Sequence, residues 1–128
     1  MPRAHSYDYA ILRVVPRVER GEFLNAGVIL SCPGLDYLAA RISVPEAALA
    51  CMAPELDVEL VTRHLEAVIR ICAGGADSGP IGALDQRARF HWLTAVRSSV
   101  IQTSPAHAGT TGRPEVCLER LFQRHVAR

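Results

Sequence analysis

Hydrophobic positions gather first in two runs, Tyr7–Val15 and Phe23–Leu30, whose aromatic, β-branched and aliphatic residues have the composition of strands. Neither run alternates cleanly between apolar and polar. One side of the first would carry Tyr7, Tyr9, Ile11, Arg13 and Val15 and the other Asp8, Ala10, Leu12 and Val14, so both faces call for burial and the strands belong in the middle of a sheet. Arg13 and Asn25 are the exceptions. A guanidinium on a mostly buried strand must meet carboxylate, carbonyl or ligand oxygens, because a desolvated, unpaired charge is strongly unfavourable. Pro16 ends the first strand, and Arg17, Val18, Glu19, Arg20, Gly21 and Glu22 form a charged connection in which Gly21 can take positive φ.

Cys32, Pro33 and Gly34 break the second run, and Leu38–Ile42 reads as a third strand, giving an antiparallel meander. Ser43-Val44-Pro45-Glu46 is a capping-box pattern that predicts a short helix over Ala47–Met52, closed by Pro54. From Glu55 to Cys72 the apolar positions Val58, Val61, Leu65, Val68 and Cys72 follow one helical face, while Glu59 with Arg63 and Glu66 with Arg70 are spaced to pair outside. Gly74 and Gly75 stop that helix. The stretch from Gly74 to Gly82 reads as a loop without a phosphate-loop signature, and Asp85–Leu93 as a helix. Arg97–Thr103 then looks like a return strand, Ser104–Gly109 a loop, and Pro114 the start of a last helix that buries Leu118, Leu121, Phe122 and Val126. Strands that open as a hairpin and helices that follow predict one α+β domain over residues 1–128. Its antiparallel sheet has about four strands with helices packed on one face, and Val100–Thr103 lies beside the hairpin.

Composition narrows the function more than the fold. With 128 residues and 49% hydrophobic content the chain can bury a core without metals or disulfides. A net charge of +1 leaves no global attraction to nucleic acid or anionic membrane, so any such binding must be local. Cys32, Cys51, Cys72 and Cys117 form no C-x-x-C pair, which favours reduced thiols and a cytoplasmic location. MPRAHSYDYA lacks the apolar core of a signal peptide, and no apolar run is long enough for a membrane helix. All 14 basic residues other than histidine are arginine, which suits bidentate recognition of phosphate or carboxylate and is equally what a GC-rich genome would encode.

Two polar clusters remain once packing is assigned. Arg13, Arg17, Glu19, Arg20, Glu22 and Asn25 surround the first hairpin, and Arg97, Ser98, Gln102, Ser104 and His107 surround the late strand. Arginine forks with amide and hydroxyl donors make an oxyanion-binding surface, so Arg13, Arg17, Arg20, Asn25, Arg97, Ser98, Gln102, Ser104 and His107 are the candidate ligand-binding residues. The alternative chemistry is a metal-independent nuclease or phosphodiesterase with His107 as general acid and Glu22 as general base. His5, His64, His91, His107 and His125 show no paired metal-ligand spacing, the serines lack a nucleophile elbow, and no cofactor motif is present. A third reading, a structural partner without a ligand, would be supported by Arg13 and Arg97 pairing with Asp8, Glu19 or Glu22 inside the chain.

YAILRVVPRVERGEFLNAGVIL and RFHWLTAVRSSVIQTSPAHAG resemble the bacterial domain-of-unknown-function family 3037. The resemblance spans nearly the whole chain and implies no reaction. It does imply a partner, a HipA-like serine/threonine kinase encoded by a neighbouring gene. The expectation is therefore a non-enzymatic cytoplasmic accessory or binding protein that works with such a kinase and carries an arginine-rich site for phosphate, a nucleotide or nucleic acid.

Overall fold

A computed structural model describes residues 3–75, 78–97 and 99–128. Strand β1 (His5–Val14) is the centre of an antiparallel sheet, with β2 (Leu24–Cys32) and then β3 (Tyr37–Ile42) on one side. Along its other edge β5 (His107–Thr111) and β4 (Ile101–Thr103) lie end to end, β5 opposite His5–Tyr9 and β4 opposite Leu12–Val14. The expected antiparallel α+β arrangement is present, and the late strand is a neighbour of the hairpin. Helices α1 (Glu46–Met52), α2 (Val58–Ala73), α3 (Gly79–Gly82), α4 (Gln86–Leu93) and α5 (Pro114–His125), with short 3-10 turns at Val18–Arg20 and Pro33–Leu35, complete the described elements.

The apolar pattern of β1 explains the layering. Leu12 and Val14, with Ile29 of β2, pack against Leu49 of α1, Val61, Leu65 and Val68 of α2, and Phe90 and Leu93 of α4. Ile11, Val28, Leu30 and Cys32 face the other way and meet Cys117, Leu118, Leu121 and Phe122 of α5. The helices thus occupy both faces rather than one, because two strands apolar on both sides leave a second face to be covered.

Other differences are local. The Ser43 capping box does not form; Pro45 occupies the cap position of α1 with no side-chain bond, and the Ser43 amide instead donates to Ala26 O at 2.8 Å. Helix α2 begins at Val58 rather than Glu55, because the Asp57 carboxylate accepts the Leu60 amide at 3.1 Å and fixes the start there. Part of the glycine-rich stretch is the short helix α3, while residues 76 and 77 lie outside the described residues. The Arg97–Thr103 segment contributes only Ile101–Thr103 as strand, and the second half of the loop read over Ser104–Gly109 is the start of β5.

One irregularity positions polar residues. Leu12 faces Gly27 but Arg13 faces Asn25, so Ala26 is an extra residue on β2 and the strand bulges there. With a side-chain period of two, the bulge turns Asn25 toward the α5 side of the sheet, where its cross-strand neighbour Arg13 also points. Gly27 permits the bulge to close against β3, since a Cβ there would lie 2.7 Å from Arg41 O.

Candidate functional site

Beyond the C-terminal end of α5, the sheet face carries Arg13 and Asn25 side by side. Asn25 Nδ2 donates to His125 O at 3.1 Å, in the last turn of α5, and the Asn25 carbonyl accepts from the Arg128 guanidinium at 3.0 Å. The guanidinium of Arg13 lies over the Phe23 ring, 4.1 Å from its centroid. Among the described residues the Arg13 side chain donates no hydrogen bond to the chain, and its buried Nε is unpartnered together with Asn25 Oδ1 and His125 Nε2. One buried polar atom on each of β1, β2 and α5 is therefore unpartnered, where such groups are ordinarily satisfied.

An aromatic row continues along β1 from this corner. Tyr9 stacks on His125 with ring centroids 6.1 Å apart, and the His107 ring, opposite Tyr9 in the β1–β5 register, stands 5.3 Å away. His107 is exposed. It lies about 13 Å along β1 from Arg13, four residues at ~3.3 Å each.

The remaining candidates are elsewhere. Arg17 donates through Nε and Nη2 to Glu55 Oε1 at 3.1 and 2.8 Å, and Arg20 pairs with Glu22, both at the hairpin tip. Arg97 donates to Trp92 O and lies over the indole at 4.5 Å. Gln102 faces Arg13 in the register but gives its Nε2–H to Ser99 O at 2.9 Å; with Arg97, Trp92 and His64 it lines a cavity of about 150 Å³. Ser104 is a structural plug: its Oγ accepts the Ile11 amide at 2.8 Å and donates to Pro105 O at 2.9 Å, bridging the gap between β4 and β5. Ser98 lies outside the described residues.

Glu22 precedes the residue pair Leu24–Val14, whereas His107 faces Tyr9. Five residues of β1 at ~3.3 Å each already place these levels about 16 Å apart, too far for an acid and a base that must both reach one phosphate within hydrogen-bond distance. Arg13 and Arg97 pair with none of Asp8, Glu19 or Glu22.

Sequence reasoning passed over several residues that the fold uses. His125, Phe23 and Arg128 complete the corner around Arg13, with Tyr9 stacked on the His125 ring farther along β1; only the position of His125 in the last turn of a helix hinted at it. On the opposite face Arg87 of α4 binds Asp8 of β1 at 2.5 Å and Ser31 of β2 at 2.9 Å. Arg89 caps α2 by donating to Ile71 O and Cys72 O at 2.8 and 2.7 Å. An apolar groove of about 430 Å³ between α2 and β4, lined by Pro16, Leu56, Leu60, Val61, His64 and Ile101, holds none of the described candidate side chains. No group of three or more potential metal ligands occurs among the described residues, and no described helix is long and apolar enough to cross a membrane.

No curated protein and no solved structure matches the chain. A family model described as "Protein of unknown function (DUF3037)" matches residues 9–126, from the middle of β1 to just beyond α5. That span holds most of the central sheet and Arg13, Asn25 and His125 of the corner, and the chain belongs to the DUF3037 family.

Proposed function

We propose that this chain is a non-enzymatic binding protein for an anionic ligand, which Arg13 holds in the corner formed with Asn25, His125 and Arg128. One observation carries the reading. Among the described arginines that are at least partly buried, Arg13 alone has no acceptor from the chain, whereas Arg87, Arg89 and Arg97 are each held by carboxylate, hydroxyl or carbonyl oxygens. A partly buried guanidinium with its Nε desolvated is poised for an acceptor supplied from outside. The nuclease alternative finds less support, given the separation of Glu22 from His107. A HipA-like kinase as partner is supported by family resemblance alone; co-elution of the two purified proteins would favour it, and separate elution at tens of micromolar would remove it.

Calorimetric titration of inorganic phosphate, nucleotides and short RNA is the direct test. Binding to the wild-type chain should weaken about tenfold, ~1.4 kcal/mol, in Arg13→Lys, because lysine keeps the charge and loses the planar fork. If the wild type binds none of these probes, the reading fails. RNA should remain intact in the presence of chelator; cleavage that disappears in His107→Ala would put the enzyme reading first.

A further inference from the structure

The anion-binding reading leaves open what molecule carries the anion, and the orientation of Asn25 restricts it. Asn25 Nδ2 donates to His125 O at 3.1 Å, so the flipped amide would set two carbonyl oxygens against each other. The orientation is therefore fixed, and Oδ1 is the buried atom without a donor. Across the strand pair, Arg13 Nε is a buried donor without an acceptor. A ligand that satisfies both must present an acceptor and a donor next to each other.

Sulfate, a simple carboxylate or a fully ionised phosphate ester offers acceptors only. Any of them would answer Arg13 while setting a charged oxygen against Asn25 Oδ1, and would sit at the C-terminal end of α5, where the helix dipole disfavours an anion. A nucleobase edge carries an adjacent donor and acceptor, as amide side chains exploit in reading bases. The Phe23 ring shows the space that a planar ring occupies on this guanidinium, 4.1 Å from Arg13 Cζ. Phe23 is 43% exposed at the sheet margin, and an exposed side chain of this kind changes rotamer within nanoseconds, so it can yield that space and then stack on the incoming base.

We infer that the ligand is a nucleotide, its base hydrogen-bonded to Arg13 and Asn25 and stacked with Phe23, and its phosphate directed outward to Arg128 at the rim. The inference rests on the binding reading of the same corner, and the test separates the two. The full chain is titrated calorimetrically with AMP, GMP, CMP, UMP, ribose 5-phosphate, inorganic phosphate and the free nucleosides. At least one nucleoside monophosphate should bind ten times or more tightly than ribose 5-phosphate. Asn25→Leu, similar in size but without the amide, should reduce that preference to under threefold. Phe23→Leu, at an exposed position that leaves the core intact, should lower the same preference at least threefold and serves if Asn25→Leu does not fold. Equal binding of ribose 5-phosphate and all four nucleotides would overturn the inference and leave the anion reading standing. A nucleoside that binds as tightly as its monophosphate would support base recognition and overturn the anion reading. Failure of every probe to bind the folded wild-type chain would overturn both.

Discussion

Ser104 carries more structural weight than its size suggests. Its buried hydroxyl takes the Ile11 amide at the point where β4 has ended and β5 has not begun, the one interval on that edge of β1 where no ladder partner is available. Ser104→Ala leaves that amide desolvated and unpaired, and should cost ~1–3 kcal/mol in the free energy of unfolding measured by urea titration. The cysteines yield a second prediction at this scale. Burial raises the Cys72 thiol from its ordinary 9 to about 12, with Arg89 only partly opposing, and burial also raises Cys32. The folded chain therefore holds the Cys72 proton more tightly than the unfolded chain does. Its contribution to stability is complete below about pH 9 and is lost as pH rises from there toward 12, so the urea midpoint should fall across that window and fall less in Cys72→Ala. At pH 8 an alkylating reagent should label exposed Cys51 and spare Cys32, Cys72 and Cys117 until urea is added. Single residues were legible as anomalies rather than as contacts. Arg13 and Asn25 stand out in their apolar runs, but that they point the same way depends on the Ala26 bulge, a one-residue offset that a hydropathy pattern does not register.

Among the elements, α2 shows where periodicity suffices. Val61, Leu65, Val68 and Cys72 are all buried, as their spacing requires, and Leu65 is fully so. Leu65→Asp should unfold the domain, since an unpaired core carboxylate rivals a stability margin of ~5–15 kcal/mol; loss of the cooperative melting transition by circular dichroism is the expected result. The opposite case is β5. His107-Ala-Gly-Thr-Thr holds few strand-forming side chains, and its glycine suggests a loop, yet a close-fitting neighbour explains it. The Tyr7 ring lies over Gly109, and a Cβ there would come within 2.5 Å of Tyr7 Cζ. The signal for this strand is in the aromatic residue of its partner, more than 100 positions earlier, which is why local composition missed it. The helix α5 was legible as a helix but not as the cover of the second face, because its apolar stripe states that something is buried and not what buries it.

For the molecule as a whole, the pattern of β1 was the most informative stretch of sequence: two apolar faces imply cover on both sides. The polar corner was only partly visible, because half of it comes from α5 and the residues after it. That arrangement has a consequence in time. β1 is made first, yet one of its edges is completed by β4 and β5 and one of its faces by α5, all from the last third of the chain. At ~5–20 residues per second of synthesis, the strand waits roughly 5–20 s before those partners exist. Through that interval Ile11, Val28, Leu30 and Cys32 have no cover, and the nascent chain offers an apolar surface to holding chaperones or to other chains. A chain stopped after Thr111, without α5, should stay in that condition permanently, pelleting on centrifugation where the full chain remains in the supernatant.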